Sequence, residues 1–279
     1  MIKVENLKKI YKVGNEKIVA LNDINLEIEQ GEFCCIVGTS GSGKSTLLNQ
    51  LAGLEKPSKG SVTIDGQNIS KMTEKQLAIF RQNTIGFIFQ SYNLMPTLTA
   101  VENVAFPLMF KGIDRKIREK KARAILKEMQ LGERMEHKPT ELSGGQQQRV
   151  GIARAFVGKP KVIFADEPTG NLDSKTTAQV MNMLTEISRR NGITFVMVTH
   201  DPELAKLAQR IVTLKDGSII SDTKGEKTLP AAEKQEAQEA ALPPDDSDDS
   251  TQDNGVKTDD IKQEPQTNQN NVEGKNEKK

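Results

Sequence analysis

The chain has 279 residues, with 39 Lys+Arg against 38 Asp+Glu for a net charge of +1, so no global field advertises nucleic acid or an anionic membrane as a partner. No apolar stretch approaches the roughly 20 residues that a bilayer-spanning helix needs. Strand-like alternation begins at Met1-Ile2-Lys3-Val4-Glu5, where a secretory leader would carry a longer apolar run. A cytosolic chain is expected, with any membrane role exercised through a partner.

Between Lys3 and Ile28 the pattern alternates. Val4, Leu7 and Ile10 precede a turn at Gly14-Asn15, and Ile24, Leu26 and Ile28 then alternate with Asn25, Glu27 and Glu29 as in a half-buried antiparallel strand. Phe33-Cys34-Cys35-Ile36-Val37 is a continuous apolar run of the buried-strand type. Adjacent strand residues point to opposite faces, so the two cysteines are expected as small apolar fillers, not as a disulfide or metal pair. The run leads through Gly38-Thr39-Ser40-Gly41-Ser42-Gly43-Lys44-Ser45-Thr46 into a helical pattern at Leu47-Leu48-Asn49-Gln50-Leu51. Strand, glycine-rich loop and helix form the context in which G-x-x-x-x-G-K-[ST] binds phosphate. Gly38, Ser40, Gly41, Gly43, Lys44, Ser45 and Thr46 are therefore the expected nucleotide contacts. The glycines let successive N–H groups point inward, and the helix start adds partial positive charge. Lys44 is placed to reach the β- and γ-phosphates, and the Ser45 hydroxyl to ligate Mg²⁺.

Further along, Gly60 to Gly66 predicts a strand closed by a turn, Glu74 to Arg81 a short helix, and Ile85 to Phe89 a strand ending at Gln90. Residues 91–159 change character. Val101, Val104, Phe106, Leu108 and Met109 open a helical region. From Asp114 to Leu131 one face is charged while Ile117, Ala122, Ile125, Leu126 and Met129 occupy the other, as in a helical subdomain inserted into an α/β core. The core resumes with the apolar strand Lys161 to Ala165, a helix over Lys175 to Arg190, and the strand Thr194 to Val198. Another helix starts near Pro202, and a hairpin turns at Asp216-Gly217. Strands alternating with helices argue for a parallel sheet covered on both faces. Beyond 222 no aromatic residue occurs, and Pro243-Pro244-Asp245-Asp246-Ser247-Asp248-Asp249 suits no packed element. A disordered polar tail over 223–279 is expected, with a transient helix at Ala231 to Ala241.

Two further stretches carry chemistry. Ala165-Asp166-Glu167 closes its strand at the carboxyl end, where ligands sit in open α/β sheets. Asp166 is placed to hold Mg²⁺ through its water shell, and Glu167 to polarise the water that attacks the γ-phosphate. Leu142-Ser143-Gly144-Gly145-Gln146-Gln147-Gln148-Arg149 is a second anion site, with exposed backbone N–H groups at the start of the helix through Val150, Ile152 and Ala153. Together with the phosphate loop and Asp166-Glu167, this segment resembles the ATP-binding-cassette family over about Met1 to Asp222.

The resemblance implies an α/β phosphate-loop fold with a parallel-sheet core, an antiparallel β subdomain and an inserted helical subdomain. It implies ATP and Mg²⁺ as ligands and ATP hydrolysis as the reaction. Tyr11 falls where the family stacks an aromatic ring on adenine, and Gln90 where a glutamine touches Mg²⁺ and the attacking water. Asn171-Leu172-Asp173 matches the loop that crosses between subunits, although the family more often has Ser at the position of Asn171. His200 matches the histidine that contacts the γ-phosphate. In the family, two cassettes face head to tail, each nucleotide lying between one phosphate loop and the other's Ser143-Gly144-Gly145-Gln146 equivalent, so an ATP-dependent homodimer is expected.

Ala165 to Asp173, Ile88 to Leu94 and Thr199 to Pro202 look like the lipoprotein-release, macrolide-exporter and cell-division branch. That branch implies integral membrane permease subunits as partners, a location on the inner face of the cell membrane, and release, export or force transmission as the task. Tyr92, Leu94 and Met95 are the expected permease contacts, whereas Phe106 is expected to close the subdomain's own core. A soluble family member acting on ribosomes or DNA is the alternative. Ribosome-associated members usually carry two cassettes and repair members a long coiled-coil insertion, and this chain has neither.

Overall fold

The alternation between Lys3 and Ile28 becomes a long hairpin, β1 (Ile2–Val13) and β2 (Glu16–Ile28), in the computed structural model, which describes residues 1–224. β3 (Phe33–Val37) and α1 (Lys44–Leu51) follow, then β4 (Lys59–Ile64), β5 (Gln67–Asn68), α2 (Glu74–Thr84) and β6 (Ile85–Ile88). The helical region holds α3 (Ala100–Phe110), α4 (Arg115–Glu128) and α5 (Gly144–Phe156). The chain then alternates β7 (Val162–Asp166), α6 (Ser174–Arg190), β8 (Thr194–Thr199) and α7 (Pro202–Ala205) before the hairpin β9 (Arg210–Lys215) and β10 (Ser218–Lys224). Among the described residues β2-β1-β4-β5 form an antiparallel sheet of four strands, and β10-β9-β3-β8-β7-β6 a sheet of six. The latter is parallel from β6 to β9, with β10 returning antiparallel.

The period of two along the central strands builds two cores. Cys34, Ile36, Phe164, Val196 and Val198 face a cluster shared with the four-stranded sheet, α1 and α2. Cys35, Ile163, Ala165, Phe195 and Met197 face the other cluster, shared with α3 to α6. The two thiols thus lie on opposite sides of the sheet, each fully buried. Burial pushes the Cys35 thiol up to about 12 and the Cys34 thiol higher still, so both stay neutral at physiological pH.

Several boundaries differ from the sequence pattern. α2 extends to Thr84, since Thr73 and Gln76 form a reciprocal capping box at its start and the Thr84 carbonyl accepts from Lys161 N at 2.9 Å at its end. On α4, Ala122, Ile125, Leu126 and Met129 are buried, but Ile117 is exposed. Its offset of five residues from Ala122 rotates it about 140° away from the buried face. β10 continues past the expected boundary at 222 to Lys224, because its charges have partners. Arg210 donates to both Asp222 carboxylate oxygens, Nε–Oδ1 at 2.7 Å and Nη2–Oδ2 at 2.6 Å, and Lys224 meets Glu29 at 3.1 Å. The rest of the expected tail, including the helix at 231–241, lies outside the described residues.

The Arg210 hydrogen bonds hold the Asp222 carboxyl below its ordinary range. Such a group stabilises the fold fully above the unfolded aspartate value of about 3.9 and loses its contribution as pH falls through the depressed folded value. Asp222→Asn is expected to cost about 1 kcal/mol at pH 7, a figure kept small by solvent screening at the exposed Asp222. Urea unfolding of both proteins at neutral pH and near pH 3 should show the gap narrowing in acid.

Candidate functional site

The phosphate loop leaves the carboxyl end of β3 and is pressed between two neighbouring strands. A β-carbon on Gly38 would lie 2.2 Å from the carbonyl oxygen of Leu214 in β9, and one on Gly43 would lie 2.6 Å from that of Ala20 in β2. Gly43, the N-cap of α1, and Gly41 take φ of 100° and 78°, in the left-handed region open to glycine. Lys44 is buried, and its Nζ donates to the Thr39 carbonyl at 2.8 Å, so the ammonium folds back over the loop. The Gly217 N–H donates to the Ser42 carbonyl at 3.0 Å, tying the loop to the β9–β10 turn.

A cavity of about 800 Å³ opens over this loop, lined by Ser40, Gly41, Gly43, Lys44, Ser45 and Thr46. It also takes in Ile18, Val19 and Ala20 of β2, Asp216-Gly217, and the side chains of Glu167 and His200. Tyr11 does not line it. The Tyr11 hydroxyl donates to Glu55 Oε2 at 2.7 Å, and the Lys9 ammonium sits 5.0 Å from the ring centroid. Tyr11 pairs across the hairpin with Ile18, which does line the cavity. Ile18 and Val19 are apolar yet exposed, the feature of β2 that marks them as a platform for a flat apolar ligand. Their sequence signal was the unbroken run Ile18-Val19-Ala20-Leu21 in an otherwise alternating strand.

At the far side, β7 ends in Asp166 and Glu167 follows. The Ser45 hydroxyl donates to Asp166 Oδ1 at 3.3 Å. Burial raises the Asp166 carboxyl above its usual range, the Ser45 bond opposes this, the neighbouring Glu167 charge adds to it, and Lys44 opposes it. Glu167 adopts a left-handed φ of 43°, its N–H donates to the Val198 carbonyl at 3.0 Å, and its Oε1 meets His200 Nδ1 at 2.8 Å. Gln90 belongs to the same cluster: Asn171 Nδ2 donates to its carbonyl at 3.0 Å, and its amide nitrogen lies 3.0 Å from where a β-carbon on Gly170 would stand. Among the described residues no group of three or more His, Cys, Asp or Glu could cage a metal ion. The donor set of one hydroxyl, one carboxylate and one amide fits an ion such as Mg²⁺, which keeps waters and phosphate oxygens in its shell.

Ser143, Gly144, Gly145 and Gln146 do not line this cavity. Ser143 caps α5, accepting from Gln146 N at 3.3 Å, while Gln146 Oε1 accepts from Ser143 N at 2.9 Å; the Gln146 side chain is committed to this box. The two glycines permit close packing. A β-carbon on Gly144 would meet the Tyr92 hydroxyl at 2.9 Å, and one on Gly145 would meet Thr176 Cγ2 at 2.5 Å. Asp173 caps α6, accepting from Thr176 N at 3.0 Å and Thr176 Oγ1 at 2.6 Å. These hydrogen bonds hold its carboxyl below the ordinary range. Tyr92 and Asn93 both have positive φ, and Arg154 of α5 clamps their carbonyls at 2.8 and 2.5 Å, a role no motif signalled. Of the expected docking residues, Met95 is exposed and Tyr92 half-buried, whereas Leu94 packs against the helical core. Phe106 corrects the sequence reading, for it stacks edge-on against exposed Phe110 at 5.1 Å and stays outside the buried cluster.

A glycine loop at the end of a central parallel strand, with a lysine, a hydroxyl and a carboxylate on one cavity and a second carboxylate bonded to that hydroxyl, defines a phosphate-loop nucleotide hydrolase. The family model for ABC transporters matches residues 21–170. The chain belongs to the ABC transporter family and is an ATP-hydrolysing cassette of it. It is 53% identical over 220 residues to an uncharacterized ABC transporter ATP-binding protein of Methanocaldococcus jannaschii, MJ1508, covering 79% of this chain and 98% of that protein. The macrolide export ATP-binding/permease protein MacB of Vibrio parahaemolyticus is 48% identical over 223 residues, which cover 80% of this chain and 34% of MacB. A dimeric structure of the ATP-binding cassette MJ0796 in a post-hydrolysis state, bound to ADP and Pi, matches with a TM-score of 0.76 at 46% identity, covering 80% of this chain and 98% of that one.

The loop geometry orders the effects of glycine replacement. Gly41→Ala meets open space and carries only the backbone cost, about 1–2 kcal/mol. Gly43→Ala adds a collision with the Ala20 carbonyl, and Gly38→Ala one with the Leu214 carbonyl. Thermal melts should rank Gly41→Ala mildest, and titration with a fluorescent ATP analogue should show binding lost for the other two.

Proposed function

We propose that this chain is the ATP-driven motor subunit of a membrane transporter, working as a nucleotide-bridged pair of copies beside separate permease subunits. The observation that carries the reading is the convergence of Lys44, Ser45, Glu167 and His200 on one cavity, with Asp166 bonded to the Ser45 hydroxyl. In this reading Ser40, Gly41, Gly43 and Thr46 cradle the phosphates through the loop, with Gly38 letting that loop lie against β9. The Lys44 ammonium leaves the Thr39 carbonyl for the β- and γ-phosphates. Ser45, Gln90 and, through water, Asp166 hold the magnesium ion, which when bound neutralises phosphate charge. Glu167 orients and polarises the attacking water. His200 fixes that carboxylate through its 2.8 Å contact and stands ready for the γ-phosphate. Ile18 and Val19 offer the base an apolar surface, and Tyr11, freed from Glu55, stacks on it.

The pairing of copies is supported by the displaced second anion site. The helix start at Ser143-Gly144-Gly145 lies away from its own cavity, so its backbone N–H groups serve a nucleotide bound by the other copy. Asp173, on the cap of α6, then belongs to the same crossing surface. Two solved structures of the MJ0796 cassette are dimeric, which supports this arrangement. Among the described residues no helix is long and apolar enough to cross a membrane. In this reading permease subunits in the membrane hold this protein against the cytoplasmic face. MacB, of which this chain spans about a third, is named as an ATP-binding and permease protein together. Export or release of a drug, peptide or lipoprotein, or transmission of force across the bilayer, is the task this likeness supports.

Two experiments test these roles. Glu167→Gln should retain ATP binding and lose turnover by roughly 10²–10⁴-fold, whereas Lys44→Ala should lose binding; equal loss of binding in both would refute the division of labour. Ser143→Arg should bind ATP as a monomer yet neither dimerise nor hydrolyse. Mixing it with Lys44→Ala restores one intact composite site per heterodimer, so partial recovery of ATPase activity is expected. Normal turnover by Ser143→Arg alone would rule out a shared site.

A further inference from the structure

The residue that joins the second anion site to the hydrolytic carboxylate is Gln148. It lies on α5, little more than one helical turn past Ser143, and is completely buried. Its Nε2 donates to the carbonyl of Pro168, and its Oε1, also buried, has no hydrogen-bond partner among the described residues. A buried amide with one end unmatched is an unfavourable choice where packing alone is required, since a methionine of similar length would fill the space without an orphaned acceptor. The residue must therefore be judged by the bond it does make.

That bond falls on the turn that aims Glu167. Glu167 stands at a φ of 43°, a conformation that a side chain with a β-carbon adopts only when its surroundings impose it. Its N–H is fixed to Val198, and its carbonyl accepts from Gly170 N at 3.1 Å. The Pro168 carbonyl lies inside this turn and is met by Gln148. The other neighbour of the turn is Gln90, through Asn171. The geometry points to Gln148 as a positioning residue for hydrolysis, one that registers the place of the Ser143 helix start against the turn carrying Glu167. When α5 shifts, the Pro168 peptide shifts with it, and Glu167 swings relative to the phosphate cavity. Gln148 is buried outside the lining of the phosphate cavity and acts only through Glu167. The inference rests on the hydrolytic role proposed for Glu167 above.

The test combines Gln148→Met with Glu167→Gln in the full chain. Gln148→Met should leave the dissociation constant for a fluorescent ATP analogue, and the KM for ATP, within twofold, while kcat falls about tenfold or more. In the Glu167→Gln background, single-turnover hydrolysis should fall by less than twofold on adding Gln148→Met, because the aimed carboxylate is already gone. Equal fold-losses in both backgrounds, or an unchanged kcat in the single variant, would overturn the assignment. Gln148→Asn keeps the amide but shortens its reach, and should reproduce the kcat loss. Failure of both variants to fold would make Gln148 a stability residue and overturn the assignment too. An undiminished kcat in Glu167→Gln itself would instead refute the role of Glu167, a result separable from any of these.

Discussion

The structure depends first on a lack of space. The loop between β3 and α1 runs so near the carbonyls of Leu214 and Ala20 that neither Gly38 nor Gly43 has room for a β-carbon. That closeness holds the loop between β9 and β2, strands from opposite ends of the chain. Because the neighbouring carbonyls fix the loop, its N–H groups are oriented before an anion arrives, and little ordering cost remains for binding. The antiparallel hairpin therefore does more than cover the sheet: the edge of β2 forms one wall of the cavity over the loop.

A second constraint comes from the central sheet, which is apolar on both faces. Its two clusters make the sheet a rigid partition, and the reactive groups gather at the carboxyl ends of β3, β7 and β8. Asp166 and Glu167 leave the same strand end but are treated oppositely. Asp166 stays half-buried beside Ser45, while the left-handed turn at Glu167 carries the next carboxylate across to His200. Two adjacent acidic residues thus acquire different neighbours from one backbone rotation.

The helical region shares an apolar cluster with one face of this sheet, and directional contacts are added to it. Arg154 grips the turn at Tyr92-Asn93, Gln148 reaches the Pro168 carbonyl, and Gly145 packs against Thr176. Such directional contacts suit a subdomain whose placement bears on the site.

The sequence alone determined the element order, the phosphate loop, the acidic pair and the helix start at Ser143, because each is written in local spacing: apolar periodicity, glycines at fixed offsets, a cap residue before a helix. It also separated Cys34 from Cys35, since a strand's period of two admits no other outcome. What only the tertiary structure decided are the relations across distant segments. Strand pairing brings Ile18 and Val19 to the cavity, and the length of β10 depends on the Arg210–Asp222 and Lys224–Glu29 pairs. Tyr11 is held by Glu55, 44 residues away, and Phe106 turns to Phe110 and not to the core. Nothing in the immediate neighbours of Gln148 and Arg154 records which carbonyls they meet. Local patterns fix conformation through sterics and periodicity over a few residues, whereas these contacts arise only when the folded sheet sets distant backbone groups within hydrogen-bond reach.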